Sequence, residues 1–198
     1  MTPLYAGRML CERCGLPGTG RCLTCAPDPV AASRSVGEYA GALRVTLLDV
    51  KRRPRVSARL GELLARMWRD SECLREVDAV VPVPLHPDRY AERGHNQAEV
   101  IARALAIRIG LPVEANALAR VRAGAKRRIG AGRDARAVES AGAFRAATRL
   151  VSGKRVLLVD DVFTTGATLG ACAVALREAG ASEAVAITAA RVRMGSAS

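Results

Sequence analysis

Asp160 and Asp161 are adjacent carboxylates closing an apolar run, and Thr164, Thr165, Gly166, Ala167 and Thr168 follow them within VLLVDDVFTTGAT, residues 156–168. Two like charges side by side at a strand end are unfavourable unless a cation or a hydroxyl-rich group meets them. The next residues are small and run into a helical pattern. Their backbone N–H groups can form an anion-binding nest at the helix start, helped by three threonine hydroxyls. A sugar phosphate satisfies both halves, with its diol on the carboxylates and its phosphate in the loop.

A second constellation lies near the N-terminus. Cys11, Cys14, Cys22 and Cys25 have the spacing C-x2-C-x7-C-x2-C. Two such pairs on short turns can set four thiolates tetrahedrally around Zn²⁺, and the intervening LPGTGR carries the glycines and proline of a tight connection. All four positions are filled, which leaves none for a catalytic water, so the site is expected to be structural. Cys73 and Cys172 fall in helical patterns without partners and read as small buried apolar residues.

The elements that must position these groups follow from the apolar pattern. Residues 1–29 have little to fill a core and need a metal staple, which sets them apart from a domain over 30–198. From Val36 to about Cys73 the pattern is helical, with Leu43, Leu47, Leu48 and Val50 in one run and Leu60, Leu63, Leu64 and Met67 in the next, separated by KRRPR. DAVVPVPL then reads as a buried strand, HNQAEVIARALAIRIG as a helix stopped by Gly110, and VEANAL as a short strand. RVLLVDDV is a strand, ATLGACAVALREAG a helix closed at Gly180, and AVAITAARV another strand. Near-continuous apolar strands alternating with helices predict an α/β fold with a parallel sheet flanked by helices on both faces. Ligands of such sheets sit beyond the carboxyl ends of the strands, where Asp160 and Asp161 fall.

The 198 residues suffice for one α/β domain plus a small appendage. With aromatics at 3%, the core must be built from Ala, Val, Leu and Ile. A net charge of +12 favours polyanionic partners, whether nucleic acid or a small phosphorylated ligand, and equally fits a compositional habit of Arg among Ala and Gly. The stretch around KRRIGAGR, within the basic segment 122–139, reads as a flap, a nucleic-acid contact or a solvated charge run. No G-x-x-x-x-G-K-[ST] or G-x-G-x-x-G is present, and scarce aromatics argue against base stacking on single strands. No apolar run approaches the roughly 18 residues of a membrane span, and the first residues lack a secretory pattern, so a cytoplasmic location is expected.

The segment VLLVDDVFTTGAT closely resembles the ribose-phosphate motif of type I phosphoribosyltransferases: a hydrophobic strand, two acids and a T-T/S-G-x-T turn. Together with the cysteine pairs and PVPLHPDRYAERGHNQAEVIARALA, it makes the chain similar to the ComF family over about residues 8–192, phosphoribosyltransferase relatives linked with competence and DNA uptake. The resemblance implies a type I phosphoribosyltransferase-like fold with an N-terminal zinc ribbon. It further implies that Asp160 and Asp161 contact the ribose hydroxyls of phosphoribosyl pyrophosphate, that Thr164 to Thr168 hold its 5′-phosphate, and that Mg²⁺ accompanies the pyrophosphate. Lys51 matches the family's lysine after the first helical run and either meets pyrophosphate or ends a solvated helix. With the two acids it makes up the expected catalytic group.

Arg89 and Arg93 follow a strand's carboxyl end and either clamp pyrophosphate or are surface arginines of a basic protein. Gln97 joins the substrate-binding candidates, and Asn96 and Gln97 are equally suited to capping the next helix. Against the family pattern, His95 stands where R-G-F-N-Q has Phe, and Arg128, Arg136 and Glu139 occupy the region where Gln, Arg and Asn are expected. Three readings follow: transfer of the phosphoribosyl group to an unknown acceptor, a non-catalytic ligand-binding module of the competence machinery, or DNA binding through the ribbon and basic loop. DNA and DNA-uptake proteins are therefore candidate partners.

Overall fold

A computed structural model describes residues 10–11, 13–16, 29–121 and 142–192. Its centre is a four-stranded parallel sheet in the order β1-β6-β5-β2, with β1 at Ser33–Glu38, β2 at Ala79–Pro82, β5 at Arg155–Phe163 and β6 at Glu183–Arg191. Val113 extends the β2 edge by a parallel bridge to Val80. A separate antiparallel pair, β3 (Leu118–Arg120) and β4 (Phe144–Ala146), lies beside it.

The helices are α1 (Gly41–Arg52), α2 (Ala58–Asp70), α3 (Pro87–Arg93), α4 (Gln97–Ile109), the short α5 (Thr148–Val151) and α6 (Ala167–Glu178). Side-chain alternation along the strands sorts the core into two layers. Leu157, Val159, Val185 and Ile187 pack with Leu43, Leu47 and Val50 of α1, Leu60 and Leu64 of α2, and Ile101 and Leu105 of α4. Val156, Leu158, Ala184 and Ala186 pack with Leu169, Cys172 and Leu176 of α6 on the opposite face. The expected parallel α/β sheet with helices on both faces is thus the observed one.

Local signals set most boundaries. The Ser57 hydroxyl accepts from the Leu60 amide at the start of α2, Asn96 accepts from the Ala98 amide at the start of α4, and Gly110 ends α4 in the left-handed region at φ 72°. Three expectations require correction. Residues 33–38 form strand β1 beside a stretch read as helical, a strand that the sequence hides because SRSVGE shows no apolar alternation; Ser35 is bonded across the sheet, its Oγ 2.7 Å from Thr188 Oγ1. In VEANAL only Val113 bridges to the sheet, and the regular strand begins at Leu118. Leu48, expected inside, is 38% exposed, since α1 turns its Leu43, Leu47 and Val50 face to the core instead. No helix among the described residues is long and apolar enough to cross a membrane.

Candidate functional site

The sheet delivers the acidic pair to its carboxyl edge. Strand β5 runs through both acids and ends at Phe163, three residues before Gly166 caps α6. Alternation starts Asp160 toward the α6 layer, in register with Thr188, and Asp161 toward the α1 layer. Each carboxylate folds back on the chain: Asp160 Oδ1 accepts from the Asp161 amide at 2.8 Å, and Asp161 Oδ1 accepts from the Val162 amide at 2.9 Å.

Their surroundings differ. Asp161 is buried and meets Lys51 Nζ at 3.0 Å through Oδ2, an ion pair without hydrogen-bond geometry that leaves Oδ2 without a hydrogen bond. The Lys51 ammonium also lies 5.9 Å from the centre of the Tyr39 ring. Lys51 therefore meets the acid pair instead of ending in solvent, because α1 finishes against the edge of the sheet. Burial, followed by the neighbouring charge of Asp161, pushes the Asp160 carboxyl well above the usual carboxylate range, and Lys51 only partly offsets this. Burial also pushes the Cys172 thiol up, with the Asp160 charge adding to the effect, so this cysteine is inert packing.

The turn after β5 is shaped by Gly166, which adopts φ 83°. A Cβ there would come within 2.9 Å of the Phe163 ring, so the loop closes tightly on that ring. Gly166 offers no side chain to cap α6, and the Ala167 amide reaches Thr165 Oγ1 only at a long 3.4 Å. The first turn of the helix thus presents N–H groups that helical geometry cannot satisfy internally. Thr164 is exposed, while Thr165, Ala167 and Thr168 are half-buried along the same turn. Behind it, the buried Arg191 stacks on Phe163 at 4.0 Å and donates to the Cys14 carbonyl.

The segment after β2 supplies the basic side. His86 caps α3 by accepting from the Asp88 amide, Arg89 is exposed, and half-buried Arg93 donates to Gln97 Oε1 at 3.1 Å. Gln97 is itself buried. Asn96 takes the capping role and also donates to the Val83 carbonyl at 2.9 Å, tying α4 to the end of β2. Among the described residues no ion pair joins Arg89 or Arg93 to either acid. Sequence reasoning missed Arg120, whose guanidinium lies 5.3 Å from the Phe144 ring, is shifted down by burial, and is electrostatically coupled to Cys172 and Arg89. It also missed Tyr39 and Arg191, whose roles depend on contacts with residues remote in sequence.

Of the four expected zinc ligands, Cys11 and Cys14 lie on one turn, in which the Gly15 amide donates to the Cys11 carbonyl at 2.9 Å and the Cys11 amide to the Leu16 carbonyl at 2.8 Å. Cys22 and Cys25 lie outside the described residues, as do the basic segment 122–139 and with it Arg128, Arg136 and Glu139.

The chain matches the phosphoribosyl transferase domain family over residues 93–196. It is 35% identical to the DNA utilization protein YhgH of Salmonella typhimurium, covering 87% of this chain and 79% of that protein. It is 33% identical to competence protein F of Haemophilus influenzae over 65% of this chain and 57% of that one. Among solved structures it is similar to the glutamine phosphoribosylpyrophosphate amidotransferase of B. subtilis complexed with ADP and GMP, with 28% identity and a TM-score of 0.44; the match covers 66% of this chain and only 25% of that enzyme.

Proposed function

Since the chain belongs to the ComF family of phosphoribosyl transferase domain proteins, we propose that it binds phosphoribosyl pyrophosphate with Mg²⁺ and transfers the phosphoribosyl group to an acceptor. One observation carries this reading. A single strand-to-helix turn joins an incompletely compensated acidic pair to a helix start whose N-cap residue is a glycine and whose one side-chain contact is the long 3.4 Å bond from the Ala167 amide to Thr165. A ribose diol donates hydrogen bonds to the first, and a 5′-phosphate accepts them from the second.

In this assignment Asp160 and Asp161 orient the sugar, and Thr164 to Thr168 hold its phosphate. Lys51, Arg89 and Arg93 face the pyrophosphate, with Gln97 holding Arg93. The bond from the anomeric carbon to pyrophosphate breaks, the leaving group departs with the electron pair, and the acceptor's lone pair forms the new bond. Positive charge develops on the sugar ring in the transition state, beside the two acids, so the chain's work is orientation and charge stabilisation. The hard oxygen donors of the acid pair suit Mg²⁺, which when bound with the pyrophosphate supplies neutralising charge to the leaving group. Cys11 and Cys14, with Cys22 and Cys25, are assigned to a structural Zn²⁺.

A second reading is a binding module associated with DNA, without transfer. The names of its relatives, DNA utilization protein and competence protein F, and the net charge of +12 favour it. Calorimetry with phosphoribosyl pyrophosphate and Mg²⁺ tests the premise the two readings share. The wild type is expected to bind, and Asp160→Asn/Asp161→Asn to lose at least about tenfold in affinity, the scale of one to two charge-assisted hydrogen bonds; equal affinity contradicts the site. Pyrophosphate release across a panel of bases and amines then separates them, release with any acceptor supporting transfer and tight binding without release supporting the module.

A further inference from the structure

Helix α1 has an unusual ending. Its closing backbone bond runs from the Arg53 amide to the Asp49 carbonyl at 2.8 Å. Arg53 turns to extended backbone and residue 54 is proline, which has no N–H, so the chain beyond α1 supplies no donor to the Val50 carbonyl. Val50 is 1% exposed, so water is not a ready substitute. The missing donor arrives from another element. His95, in the turn between α3 and α4, places Nε2 2.8 Å from the Val50 carbonyl and Nδ1 3.0 Å from the Arg93 carbonyl.

The position of that turn follows from its neighbours. Gly94 ends α3 in the left-handed region at φ 72°, and Asn96 anchors the next residue to Val83 while capping α4. The ring is therefore delivered to the end of α1 by two fixed points. A neutral ring in the tautomer with the proton on Nε2 replaces the bond that Pro54 removes, and the doubly protonated ring donates to both carbonyls. A phenylalanine at 95, as in the related family pattern, could fill the space but could donate to neither.

The residue after Val50 is Lys51, whose ammonium meets Asp161 at 3.0 Å. We infer that His95 is a positioning residue of the phosphoribosyl site: by replacing the donor lost at Pro54, it clamps the final turn of α1 to the α3–α4 turn and so holds Lys51 on Asp161. The same ring joins the Lys51 side of the site to the turn carrying Arg93 and Gln97. The assignment rests on the ligand reading given above for its functional consequence, and on the hydrogen bonds alone for its structural one.

The test has two arms, using the full chain and the variants His95→Phe and His95→Gln, the latter retaining a side-chain N–H donor. In ligand-free protein, amide exchange over residues 49–56 should quicken about tenfold in His95→Phe and return towards wild type in His95→Gln, with global melting unchanged or matched by a denaturant correction. Exchange in His95→Phe equal to wild type overturns the clamp. With phosphoribosyl pyrophosphate and Mg²⁺, His95→Phe should weaken affinity about tenfold in the wild-type background and cause no further loss in Lys51→Met; additive losses would show that His95 does not act through Lys51. Failure of the wild type to bind this ligand removes the proposed function, while the exchange arm still decides the clamp.

Discussion

At the scale of single residues, the candidate site contains an acid whose ionised form the fold disfavours. The Asp160 carboxyl is raised by burial and by Asp161, so the folded chain holds that proton more tightly than the unfolded chain does. Its ionisation therefore costs no stability below the ordinary carboxylate range, and costs progressively more as pH rises from there toward the raised folded value. Asp160→Asn should consequently raise Tm in metal- and ligand-free protein at pH 7.5 by a few degrees, each ~1 kcal/mol being worth about 2–4 °C in a domain of this size, with the gain vanishing near pH 4. Scanning calorimetry across pH checks it, and identical melting at pH 7.5 contradicts the destabilised carboxyl. The acid pair and the threonine turn were legible in the sequence because adjacent charges ending an apolar run demand a partner. The Lys51–Asp161 contact was not, since two readings of Lys51 were equally consistent until α1 was placed against the sheet edge.

At the scale of elements, the passage from β5 to α6 is the part where local chain geometry matters most. Gly166 combines positive φ with a Cβ direction blocked by Phe163, and Phe163 is in turn covered by Arg191 of β6. Gly166→Ala is therefore expected to cost about 1–3 kcal/mol, from strain in the left-handed region and displacement of the ring, and to weaken phosphoribosyl pyrophosphate binding at least as strongly. Urea unfolding and a parallel binding titration measure the two effects; a fully stable, fully binding alanine variant would show that the turn does not need its observed shape. Most elements were readable from apolar periodicity and from stop signals such as Gly110. Strand β1 was not, because its stability comes from pairing with β6 and from a Ser35–Thr188 hydroxyl contact separated by 153 positions, neither of which leaves a local pattern.

At the scale of the whole molecule, the turn carrying Cys11 and Cys14 is tied to the sheet whose strand β5 carries the acid pair. The Arg13 carbonyl accepts from the Ser33 amide, and the Cys14 carbonyl accepts from Arg191, which stacks on Phe163 of β5. If Cys11, Cys14, Cys22 and Cys25 hold zinc, freshly purified protein should contain about one equivalent, and chelation should lower its melting temperature; less than about half an equivalent in unchelated protein contradicts the assignment. The C-x2-C spacing made this expectation available from sequence, as the apolar strand pattern did for the parallel sheet, whereas the contact of that turn with Arg191 required the fold. The most direct measurement of the central claim is a crystal structure of the protein with phosphoribosyl pyrophosphate and Mg²⁺. The ribose hydroxyls are expected on Asp160 and Asp161 and the 5′-phosphate on the backbone amides of residues 164–168; a ligand bound elsewhere, or with its phosphate away from that turn, would overturn the proposed site.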